Sequence, residues 1–201
     1  MNIQGLEKSA KDYHKGAMAI ASRLVGIPEQ AIKTTPIIVK KGSQTFGLVL
    51  GKSNILNNMD YMQPFIMNGA FSLEIKMKLI YLLEKGEQLQ VHNLLKLYEE
   101  LSQNTKSHVR EKVKEISNSS AWYKDISREI NSKYKIQFSW EPHKLISNSA
   151  LAFDRWRYVF EDIDKPTWFA GYIELQQAFD SRLNEIKSYK AHKPKNRAAE
   201  L

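Results

Sequence analysis

The chain has 201 residues, enough for one domain with a sizeable core, and its 42% hydrophobic and 26% charged content is that of a folded globular protein. It holds no cysteine, so disulfides and thiolate metal sites are excluded. The net charge is +8, and half of that excess sits between Lys187 and Leu201, where five basic residues face Glu200 alone. A segment of that kind either holds phosphate or is merely a solvated end, and the two readings carry equal weight.

Met1 to Gly16 is polar and charged, and no apolar run approaches the length of a bilayer span. A cytoplasmic protein without a membrane partner is the expectation. Leu6, Ala10, Tyr13, Ala17, Ala21 and Leu24 recur at helical spacing and predict a helix to about Val25, stopped by Gly26 and Pro28. Between residues 35 and 51, two β-rich runs flank Lys41-Gly42-Ser43-Gln44 and predict one small hairpin. A second helix, with Asp60 as its N-cap, carries the stripe Ile66, Ala70, Leu73, Met77, Ile80, Leu83 and ends at Lys85 and Gly86. His92 then leads into a helix with Leu94, Leu95, Tyr98 and Leu101. Residues 105–134 read as two helices broken around Ser117 to Ser120, and Trp140 and Pro142 mark a connection. Leu151, Phe153, Trp156, Val159 and Phe160 give an apolar helix ended by Asp164-Lys165-Pro166; Tyr172, Leu175, Phe179, Leu183 and Ile186 give the last.

The expected fold is therefore all-α, an up-and-down helical bundle of at least five helices with no more than one hairpin near residues 35–51. It forms a single domain over residues 1–190, with a core at about 60–165 and an N-terminal helix and hairpin within 5–53; residues 191–201 are a basic tail.

Common catalytic and metal motifs fail on spacing. Gly47, Gly51, Lys52 and Ser53 have three residues between the glycines where a phosphate-binding loop needs four, and no helix start follows. Asp162 and Asp164 lack the glycine and the terminal glutamate of a calcium loop. The five histidines (14, 92, 108, 143 and 192) lack the one-turn spacing of a zinc hydrolase helix, and no nucleophile elbow occurs. No cofactor and no metal site is expected. The cluster Phe153-Asp154-Arg155-Trp156-Arg157-Tyr158 combines guanidinium groups, which pair with phosphate, and aromatic faces, which stack on bases. Phe153, Trp156 and Phe160 also lie at core spacing, and Arg155 and Arg157 then project about 160° apart on the helix.

Three segments together resemble the HEPN superfamily of prokaryotic helical bundles. They are Ala70-x-x-x-Glu74-x-x-x-Lys78, the turn His92-Asn93-Leu94, and Trp156-Arg157-Tyr158. Asn93 stands where the family usually has Asp. The resemblance implies Glu74, Lys78, His92, Trp156 and Tyr158 as structural motif residues. It further implies a bundle that often forms homodimers and a setting in RNA metabolism, toxin–antitoxin pairs or phage defence. Catalytic members cleave RNA without metal, through an Arg followed after four to six residues by a His. No Arg of this chain has a His so placed: Arg157 reaches Asp162, Ile163 and Asp164. The expectation is a non-catalytic protein that binds RNA or another nucleic acid through Arg155, Arg157, Lys193, Lys195 and Arg197. The alternatives are a divergent metal-independent endoribonuclease, pairing Arg155 or Arg157 with His92 or His143, and a protein–protein interaction module.

Overall fold

The computed structural model describes residues 2–34, 37–41, 44–49, 52–53, 59–156 and 167–192. It is an all-α helical bundle with a small sheet against it. Helix α1 (Ile3–Val25) starts where Asn2 accepts a hydrogen bond from Gly5 N–H. It ends as expected at Gly26, whose φ of 70° places it in the left-handed region. Its buried residues include the small Ala10, Ala17 and Ala21, which let it lie close against α2 (Met62–Lys85), and Leu24 and Val25 at its end.

Helix α2 is the centre of the bundle. Phe65, Ile66, Leu73, Met77, Leu79 and Ile80 are all buried although they point in several directions around the axis, the pattern of a helix covered on most sides. It packs on α1, α3 (Leu94–Glu100), α6 (Pro142–Trp156) and α7 (Tyr172–His192). Ser72 bonds the Ala10 carbonyl while Asn68 lies beside Gly16, so α1 and α2 run antiparallel. Gln176 meets Ser72 and Asp180 meets Lys76, so α7 runs parallel to α2. The expected N-cap, Asp60, is displaced: it sits in a short 3₁₀ turn, Met59–Tyr61, and Tyr61 occupies the cap position without a side-chain bond.

The remaining boundaries follow side-chain caps. Asn93 opens α3 by accepting from Leu95 N–H and Lys96 N–H. Ser102 opens α4 (Gln103–Asn118) and Ser120 opens α5 (Ala121–Tyr134), with the predicted break falling between the two. Helix α6 begins at Pro142, earlier than the apolar run suggests, because proline fits a first helical position.

The expected hairpin is present as β1 (Ile37–Lys41) and β2 (Gln44–Val49). The sheet exceeds it, however. Lys52–Ser53 forms a two-residue β3 on β2, and Thr167–Phe169 forms β4 on the other edge of β1, giving the antiparallel order β3-β2-β1-β4. Strand β4 is three residues long after Pro166, too short for an alternation to be read from sequence. It matters to the core nonetheless. Phe169 is fully buried and meets Phe65 edge-on at 5.5 Å, and Tyr172 meets the same ring at 5.9 Å. Gly171, at φ 72°, turns the chain from β4 into α7; a Cβ there would lie 2.5 Å from Leu145. Among the described residues no helix is long and apolar enough to cross a membrane.

Candidate nucleic-acid interface

The structure describes only part of the residues that sequence singles out. Arg155 and Trp156 fall in the last turn of α6. Arg157, Tyr158, Lys193, Lys195 and Arg197 lie outside the described residues. Glu74, Lys78 and His92, by contrast, come together. Glu74 Oε1 accepts from Lys78 Nζ at 2.9 Å and lies 2.9 Å from His92 Nδ1. Glu74 is buried and His92 is mostly exposed, so the imidazole covers the open side of the carboxylate. Asn93, beside it, caps α3 through a side-chain oxygen that an aspartate would also supply. This corner ties the helix motif to the turn motif. Both contacts fall on the one oxygen Glu74 Oε1 and come from within the chain, which gives the corner a structural character.

A better-formed surface lies further along α2, at its C-terminal end. The last turns of α2 and α7, with the start of α4, enclose a groove of about 450 Å³. Arg182 lies at its base. The guanidinium donates from Nε to Thr105 Oγ1 at 2.7 Å, from one terminal nitrogen to Glu84 at 2.9 Å and from the other to Glu185 at 2.8 Å. Glu84 also receives Ser102 and Thr105. Burial alone would raise its pKa, yet the hydrogen bonds from Thr105, Arg182 and Ser102 together hold it below the usual carboxylate range. These side chains are a closed network that rivets α2, α4 and α7.

The rim is different. Lys85 in the last turn of α2 and Lys190 in the last turn of α7 are exposed, and among the described residues neither has an ion-pair partner. Tyr189 lines the same groove with 70% of its surface open, the most exposed large apolar side chain among the described residues. Asn104 adds an amide. An aromatic face flanked by unpaired ammonium groups offers stacking to a base and charge to the adjacent phosphates. Residues 193–197 follow directly from this end of α7. Sequence reading missed the groove because its walls are about a hundred positions apart. The local sign was Lys187-Ser188-Tyr189-Lys190, where an aromatic residue is interleaved with the basic run.

One His–Arg pair does form in space. His108 Nδ1 lies 3.0 Å from Glu185 Oε2, the same oxygen that accepts from Arg182. His108 Nε2 lies 3.0 Å from Ser181 Oγ. Neither residue belongs to the pairs suggested by sequence. Among the described residues, no group of three or more histidine, aspartate and glutamate side chains is arranged to hold a metal ion. No protein family, curated protein or solved structure matches the chain.

Proposed function

We propose that this chain is a HEPN-like helical bundle that binds RNA without cleaving it, in an RNA-processing or defence setting. The observation that carries the reading is the exposed Tyr189 lining one groove with Lys85 and Lys190, shortly before the basic residues Lys193, Lys195 and Arg197 in the chain. A single strand can stack a base on Tyr189, worth about 1–3 kcal/mol, while the lysines take flanking phosphates. The meeting of Glu74, Lys78 and His92 supports the HEPN part, since Lys78 of the helix motif and His92 of the turn motif converge on the Glu74 carboxylate. The family likeness extends to a homodimer, which sedimentation of the purified chain tests.

A second reading, a divergent metal-independent endoribonuclease, is favoured by Glu185 bridging His108 and Arg182. The charge arrangement favours binding over cleavage. A catalytic arginine must offer its cation to the developing phosphorane, and Arg182 already serves two carboxylates and a hydroxyl. A general base also needs an open path to the reacting oxygen, whereas both ring nitrogens of His108 face internal partners. The test pairs a binding measurement with a cleavage assay, both on one single-stranded RNA, with and without chelator. Retention of intact RNA is the expected result. Cleavage that His108→Ala abolishes would make the protein an enzyme, and absence of binding at low salt would leave it an interaction module.

A further inference from the structure

A second cleft, of about 350 Å³, opens between α1, α2 and α7, at the lower end of the sizes that take a small molecule. Its floor is apolar, from Ala10, Leu79 and Leu183, and its polar wall holds Lys76, His14 and Asp180. Lys76 is only 5% exposed, an unusual place for an ammonium group. Nζ donates to Gln176 Oε1 and, at 2.6 Å, to Asp180 Oδ1. The Gln176 amide is fixed in turn, because its nitrogen donates to Ser72 Oγ at 2.7 Å and Ser72 donates to the Ala10 carbonyl at 3.0 Å. This chain of buried bonds aims the Gln176 oxygen at the amine. It uses two of the three hydrogens an ammonium carries. An apolar side chain at this position would serve stability at least as well, so a buried, oriented amine facing a cavity calls for a chemical reason.

We infer that Lys76 Nζ is a nucleophilic amine that condenses with a small aldehyde or ketone held in this cleft. The neutral nitrogen attacks the carbonyl carbon, and the carbonyl π pair moves to oxygen. That oxygen gains a proton and the nitrogen loses one, giving a carbinolamine. The carbinolamine hydroxyl then takes up a proton and leaves as water while the nitrogen lone pair forms C=N, giving a protonated imine, so the step needs no oxidant or reductant. His14 lines the same cleft, its Nδ1 engaged by the Tyr172 hydroxyl at 2.8 Å, and can carry the proton. The surrounding charges allow a neutral amine. Burial lowers the pKa of Lys76, and although Asp180 opposes this, that carboxylate is 54% exposed and its pull is screened by water. Glu7, on the cleft rim, is already bonded to Lys11 and Lys187. Burial likewise lowers His14, which leaves the ring neutral at neutral pH.

The full chain can be treated at neutral pH with limiting acetaldehyde and cyanoborohydride, and N-ethylation of each lysine followed by peptide mass spectrometry. Lys76 is expected to be labelled roughly fivefold or more faster than the exposed Lys15, Lys96 and Lys124, because a larger fraction of it is free amine. Asp180→Asn removes the carboxylate that favours the ammonium form and is expected to widen that ratio. Labelling of Lys76 no faster than Lys15 in the folded chain, or a ratio that falls in Asp180→Asn, would overturn the inference.

Discussion

Replacing Glu84 by alanine removes the acceptor for four donors at once: Ser102 Oγ, Ser102 N–H, Thr105 Oγ1 and an Arg182 nitrogen. The Arg182 and Glu84 side chains are only 14% and 10% exposed, so solvent does not replace what is lost. Removing one partner of a buried pair costs about 3–5 kcal/mol, and because Arg182 keeps Glu185 the lower end, about 3 kcal/mol, applies. At this chain length each kcal/mol moves Tm by roughly 2–4 °C, so thermal unfolding followed by circular dichroism should show a drop of about 6–12 °C. Glu84→Ala/Arg182→Met should recover part of that loss, since it removes the orphaned charge as well. The pH dependence has a definite sign. A carboxyl whose folded pKa lies below 4.5 contributes stability above that value and loses it as pH falls through the folded pKa, so parent and variant should converge in acid. A Tm change of less than about 2 °C at neutral pH would refute the network as a rivet of the fold.

Gly171→Ala should destabilise by about 2–4 kcal/mol, since it forces a Cβ into the left-handed region against Leu145, and hydrogen exchange at the start of α7 should rise with it. Burial lowers the pKa of His14 below its ordinary 6.5. The unfolded chain therefore takes up a proton that the folded one resists, and stability should fall as pH drops from 6.5 through the folded value; His14→Gln should flatten that slope in denaturant titrations. Asn93→Ala should cost about 1 kcal/mol by uncapping α3, while Asn93→Asp should leave Tm within experimental error, as both residues cap equally well.

What sequence makes legible here is what is local. Helical spacing from Leu6 to Leu24 and the Gly26 stop describe α1 almost to the residue, and the Gly86 cap does the same for α2. The serines at 117–120 mark a true break because Ser120 can cap α5. Pairings made across the fold are not legible. Glu84 and Arg182 lie 98 positions apart, and nothing in either neighbourhood says they meet. Lys76 reads as one more cation flanking an apolar stripe, and only the arrival of α7 buries it. Strand β4 is missed for a related reason: its three residues gain their identity from pairing with Ile38, Val39 and Lys40. The motif residues Glu74, Lys78 and His92 do converge, since a short link between α2 and α3 leaves the histidine little freedom to be elsewhere.

The most direct test of RNA binding at the α2–α7 groove is fluorescence anisotropy of a labelled single-stranded RNA titrated over a range of salt, comparing the parent with Lys85→Ala/Tyr189→Ala/Lys190→Ala. The parent should bind with log K falling linearly in log salt, and loss of two phosphate contacts should flatten that slope by about 1.4 in the variant. Loss of the stacking face alone should weaken binding by about 1–3 kcal/mol per base at every salt concentration. Parent and triple variant binding with the same affinity and the same slope would contradict the assignment of the groove.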